Sequence, residues 1–190
     1  LGAPLMSVRR YDPCWGPVLV GMRASGKSSL APLLAEALGM VAVDADDALC
    51  AAREMSIAEL VEAEGLEGLR RREEALLVDD LLLRPGVVLA TGGGAVLHGA
   101  VRELLRRRPT FWLHAPLATL ARWIDEAPVS AHQRPPLTAA SSTLEELELV
   151  FRHREPLYRE VADLRLASDG APEELAHEAA QRWRELTCPG

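Results

Sequence analysis

One octapeptide, Gly21-Met22-Arg23-Ala24-Ser25-Gly26-Lys27-Ser28, constrains this chain more than any other feature. It follows the short apolar run Val18–Val20 and precedes Leu30, Leu33, Leu34, Ala37 and Leu38, an apolar stripe at helical spacing closed by Gly39. A strand therefore enters the loop and a helix leaves it, and the segment matches G-x-x-x-x-G-K-[ST] at every required position. Gly21 and Gly26 permit backbone angles that turn successive N–H groups inward, while the helix N-terminus adds positive potential, so the loop can cradle phosphate. Lys27 is then expected to reach the β- and γ-phosphates of ATP, and the Ser28 hydroxyl to ligate a bridging Mg²⁺. The alternative, an ordinary glycine-containing strand-to-helix turn, is disfavoured by the strand that precedes the full motif and the helix that follows it.

From Pro17 onward, short apolar runs alternate with helical stretches. Strands are expected at Val18–Val20, 41–43, Val87–Ala90, Thr110–His114 and Leu164–Ala167, and further helices at 57–64, 66–83, 100–107, 117–124, 144–158 and 172–186. Such alternation predicts an α/β fold with three layers, a five-stranded parallel sheet flanked by helices. At 190 residues the chain suits one domain, placed at 17–186, after a loose leader at 1–16 and before a short tail at 187–190. The proline-containing stretch 125–143 has weak periodicity and reads as a long excursion of the functional kind.

A net charge of −7 argues against a protein that coats nucleic acid, so any anionic ligand must be held by local positive groups. Cys14, Cys50 and Cys188 lack disulfide or zinc spacing, which fits a reducing cytoplasm. No apolar run approaches the roughly 20 residues of a membrane span.

A phosphate loop alone leaves kinases, GTPases and transport ATPases open. The acceptor side must come from other strand ends, where open parallel sheets bind their ligands. Strand two ends in Asp44-Ala45-Asp46, one carboxylate available to a metal through water and the other to a substrate hydroxyl; a plain helix N-cap is the competing reading. The run from Gly65 to Glu74 carries Arg70, Arg71, Arg72, Glu73 and Glu74, which on its own reads as a solvated helix face. Strand three runs into Thr91-Gly92-Gly93-Gly94. Three glycines pack no side chain, so either another body approaches the backbone closely or the segment is a flexible turn.

Taken in order, the loop, Asp44-Ala45-Asp46, the run ending in Arg70 and Glu73, Gly92-Gly93-Gly94, Arg134-Pro135 and Arg154-Glu155-Pro156-Leu157-Tyr158 resemble the shikimate kinase family over 17–186. The resemblance implies transfer of the ATP γ-phosphoryl group to the 3-hydroxyl of shikimate on the route to chorismate and the aromatic amino acids. It also implies a sheet in the order 2-3-1-4-5 with a closing lid, here 125–143. By the same likeness Gly21, Ala24, Ser25, Gly26, Lys27, Ser28 and Ser29 contact the nucleotide, and Ser28 and Asp44 serve Mg²⁺. Asp46 binds the acceptor hydroxyl as candidate base. Arg70 and Arg154 grip the shikimate carboxylate, Glu73 orients Arg70, and Gly92, Gly93 and Gly94 lie against the ring. Arg134 closes over the phosphates with the lid, and Arg122 stacks on adenine. A monomer working on small molecules, without nucleic-acid or membrane partners, is expected. This chain departs from the family pattern at Leu69, where Phe is usual, and at Arg134-Pro135-Pro136-Leu137 in the lid. Two rivals are a gluconate-type kinase, which has no use for both Arg70 and Arg154, and a non-catalytic shikimate sensor, which has no use for Lys27, Asp46 and Arg134 together.

Overall fold

The computed structural model describes residues 10–126 and 142–187. Its elements are β1 (Val18–Val20), α1 (Lys27–Leu38), β2 (Val41–Asp44), α2 (Ala45–Arg53), α3 (Ile57–Asp79), β3 (Val87–Ala90), α4 (Gly99–Leu105), β4 (Thr110–His114), α5 (Leu117–Glu126), α6 (Thr143–Val161), β5 (Leu164–Ala167) and α7 (Pro172–Thr187). Short 3-10 turns occupy Leu81–Leu83 and Ala95–Leu97. All four strand pairings are parallel and the order is β2-β3-β1-β4-β5, as the family resemblance implies.

Side chains alternate between the two faces of the sheet with period two. Val18, Val20, Leu89 and Trp112 point into one core, closed by Leu77 of α3, Leu105 of α4, Leu120 of α5 and Tyr158 of α6. Leu19, Val88, Phe111 and Leu113 point into the other, closed by Leu30 and Leu34 of α1 and Trp183 of α7. Every residue of β1 and β3 is buried, which is why these strands read as unbroken apolar runs rather than alternating ones.

Three local differences from the sequence expectations have physical causes. The acidic run after β2 opens a helix, α2, because Asp44 caps it, accepting at Oδ1 from the Asp46 N–H at 2.9 Å. The helices expected at 57–64 and 66–83 form one continuous element broken at Gly65, whose φ of 70° and ψ of 174° redirect the axis, and the helix ends at Asp79. The third difference concerns the stretch from Tyr11 to Gly16, expected to be loose. The Tyr11 hydroxyl donates to both oxygens of Asp163 at 2.9 and 3.0 Å, its N–H donates to the Leu186 carbonyl, and Trp183 Nε1 donates to the Trp15 carbonyl at 2.9 Å. Beneath the sheet, Arg108 is buried with its guanidinium over the Trp15 ring, and donates to the carbonyls of Leu82, Arg84, Gly16 and Val87. Burial pushes its pKa down to about 10. Among the described residues no helix is long and apolar enough to cross a membrane.

Candidate active site

The carboxyl ends of β1, β2 and β3 meet because Leu19 and Asp44 both pair with Ala90. Thr91 fixes the junction: its N–H and its hydroxyl both donate to the Leu19 carbonyl, at 3.1 and 3.0 Å. Everything that leaves these strand ends therefore shares one frame.

The loop after β1 has the geometry its glycines allow. Gly21 has φ of 148°, and a β-carbon there would lie 2.4 Å from the Leu113 carbonyl oxygen, so only glycine fits between β1 and β4. Gly26 (φ 84°) leads into α1, and Ala24 also takes a left-handed conformation (φ 60°). Lys27 is buried, with its ammonium donating to the carbonyls of Met22 (2.7 Å) and Gly21 (3.1 Å) and to Ser25 Oγ (3.3 Å). Ser25 is fully buried, whereas Ala24, Ser28 and Ser29 are exposed at the loop surface.

Ser28 Oγ donates to Asp44 Oδ2 at 2.6 Å. Asp44 thus caps α2 with one oxygen and accepts from the loop hydroxyl with the other. Asp46, in the first turn of α2, turns toward the glycine segment. A β-carbon on Gly92 would lie 3.1 Å from Asp46 Oδ1 and 3.4 Å from Glu73 Oε1.

Helix α3 starts with a capping box, in which Ser56 and Glu59 bond reciprocally. After the break at Gly65 the three consecutive arginines diverge. Arg72 closes on Glu64 across the break, with Nε at 2.8 and 2.7 Å from its two oxygens, and Arg71 is exposed. Arg70 faces the interior beside Glu73, while Leu69 packs with Leu49, Ile57 and Leu60. Burial pushes the Glu73 carboxyl above its ordinary range, outweighing the downward pull of Arg70 and Arg154.

From α6 comes Arg154, 7% exposed. A β-carbon on Gly93 would meet its Nη1 at 3.3 Å and the Arg23 main-chain nitrogen at the same distance. The Tyr158 hydroxyl donates to the Gly93 carbonyl at 2.7 Å, and its burial pushes the phenol up to about 12. The glycine turn is therefore approached from all sides by loop, carboxylates and guanidinium. A cavity of about 60 Å³ between α3, α6 and the loop is lined by Arg70, Glu73, Gly93, Gly94 and Arg154, with Ile57, Val61, Leu66, Leu147 and Val150 as its apolar wall.

Arg122 is exposed on α5 and does not line this cavity, and its neighbour Trp123 packs against the core. Arg134, like the expected lid beyond Glu126, lies outside the described residues. Sequence reasoning passed over Arg23, Glu146 and Tyr158. Tyr158 stood inside the quoted Arg154 run. Arg23 occupies a position the loop pattern leaves open, and Glu146 looks like any acid in a first helical turn.

Comparison with known proteins agrees with this geometry. The family model for Shikimate kinase matches residues 23–184. Shikimate kinase 2 of Syntrophotalea carbinolica is 39% identical over 164 residues, spanning 86% of this chain and 93% of that protein. Shikimate kinase of Rhodopirellula baltica is 43% identical over 150 residues, 78% of this chain and 79% of its own. Among solved structures, the Acinetobacter baumannii shikimate kinase in complex with shikimate superposes with a TM-score of 0.79 at 31% identity, covering 88% of this chain and 92% of that one. With the family matched over residues 23–184 and relatives about 40% identical over most of the chain, the chain belongs to the shikimate kinase family.

Proposed function

We propose that the protein transfers the γ-phosphoryl group of ATP to the 3-hydroxyl of shikimate, giving shikimate 3-phosphate and ADP. The observation that carries this reading is the placement of Asp46 and Glu73 on one side of Gly92 and Gly93, and Arg154 on the other, directly beside the phosphate loop. Lys27 and the backbone N–H groups of Gly21, Ala24, Ser25 and Gly26, with Ser28 and Ser29, hold the nucleotide phosphates. Ser28 and Asp44 form a hard-oxygen pair suited to Mg²⁺, which keeps several waters and needs few protein ligands. When bound, that ion neutralises charge developing on the phosphate oxygens.

Arg70 and Arg154 grip the acid's carboxylate through their planar forks, which a lysine reproduces poorly. Glu73 orients Arg70. Asp46 accepts the hydroxyl proton as the new oxygen–phosphorus bond forms and the bond to the β-phosphate oxygen breaks; because such transition states are loose, alignment of the hydroxyl is its larger contribution. Arg134 completes the charge neutralisation on closure, and Arg122 stacks on adenine. A reducing cytoplasm fits the free thiols of Cys14 and Cys50, and a monomer is the expected state.

ADP release measured by a coupled assay against shikimate, quinate and gluconate tests the assignment. Turnover with shikimate should exceed the other two by orders of magnitude. Equal rates would leave a general small-acid kinase, and tight shikimate binding without turnover would leave a sensor.

A further inference from the structure

The acceptor cavity holds a third guanidinium that the roles above leave without work. Arg23, the third residue of the phosphate loop, lines the cavity together with Arg70 and Arg154. Its Nη2 lies 3.2 Å from Glu146 Oε2 on α6, with the side chains 22% and 11% exposed. Its Nε, in contrast, is buried and has no hydrogen-bond partner among the described residues. A charged N–H held dry and unmatched is costly, and the described residues supply no acceptor that offsets it. A ligand oxygen arriving there removes that cost. The main-chain nitrogen of Arg23 lies beside Gly93, where Arg154 also reaches, so the side chain starts at the boundary between the phosphate loop and the acceptor pocket.

Resting on the reading of this cavity as the acceptor site, we propose that Arg23 is a further ligand for an anionic oxygen of the bound acid, and that Glu146 is the positioning residue that holds its guanidinium in line. The oxygen belongs either to the substrate's carboxylate or to the phosphate ester formed on it. Both present the acceptor that a guanidinium N–H seeks. Glu146 neutralises Arg23 before the acid arrives, which keeps three guanidiniums from repelling one another around one cavity.

Titration calorimetry of the full chain with shikimate, with shikimate 3-phosphate and with Mg-ADP separates the possibilities. Arg23→Met should weaken binding of one or both acids by about tenfold or more, the worth of a charge-assisted hydrogen bond, while Mg-ADP affinity stays within about twofold. Loss confined to shikimate 3-phosphate assigns the ester oxygen; loss for both acids assigns the carboxylate. Glu146→Gln, nearly isosteric, should weaken the same acids by a smaller factor and have no further effect in an Arg23→Met background. Arg23→Lys should recover part of the affinity. If the acids bind Arg23→Met as they bind the wild type, or if Mg-ADP weakens in parallel, the side chain merely staples the loop to α6 and the proposal fails. Should Arg23→Met not fold, the Glu146→Gln arm decides alone, since unchanged acid affinity there overturns the positioning role. Failure of the wild-type protein to bind shikimate would instead strike the acceptor-site reading itself.

Discussion

Between two guanidiniums a carboxyl group normally titrates low, yet at Glu73 burial outweighs both Arg70 and Arg154 and pushes it up. The sign of the consequence is definite. An acid whose folded pKa exceeds its unfolded value of about 4.3 destabilises the native state above that window, and the penalty vanishes when both states are protonated. Glu73→Gln should therefore gain thermal stability relative to the wild type as pH rises from about 4 to neutrality, while the shikimate KM rises because Arg70 loses its orienting partner; melting curves across that range check the first. Asp46→Asn should lower kcat steeply, by about 100-fold or more, with Mg-ADP affinity nearly intact, as judged from steady-state kinetics and calorimetry. At this scale the sequence spoke unevenly. Arg70, Arg71 and Arg72 are the same side chain three times, and only the rotation of the helix after Gly65 decides which one faces the cavity.

In helix α3 a residue with no side chain sets the direction of the segment that lines the cavity. The φ of 70° and ψ of 174° at Gly65 belong to a region that L-residues enter only under strain, although nothing within 4 Å would clash with a β-carbon. Gly65→Ala should consequently cost on the order of 1–3 kcal/mol in urea unfolding, from backbone strain alone. Relief of that strain by rotating the second half of α3 would carry Arg70 and Glu73 out of place and raise the shikimate KM several-fold, with nucleotide binding unaffected. Element existence was readable because β1 and β3 are uninterrupted apolar runs, β4 has an apolar centre, and α1 is bounded by Gly26 and Gly39. Missing was α2, since Asp44, Asp46 and Asp47 spell a cap and a first turn as plausibly as a ligand pair. Asp44 caps α2 with one oxygen and accepts from the Ser28 hydroxyl with the other.

For the molecule as a whole, strand alternation announced a parallel sheet, but its order came from family resemblance, because no local pattern records which strands are neighbours. The sheet separates function from support. Its carboxyl edge carries the loop, the acids and the glycine turn, while its opposite edge is closed by Arg108, whose guanidinium serves four carbonyls. Arg108→Met leaves those acceptors dry and should lower the unfolding free energy by roughly 3 kcal/mol, with kcat per folded molecule unchanged because the site lies at the far edge. Denaturant melts paired with active-site titration check both halves. The ring of Trp15 covers this arginine, and Tyr11 ties the same segment to Asp163, just before β5, and to the last turn of α7. A chain shortened to begin at Pro17 would uncover a dry cation and an indole N–H together, so anyone trimming the protein for crystals or display should keep Tyr11 onward or expect a product that aggregates.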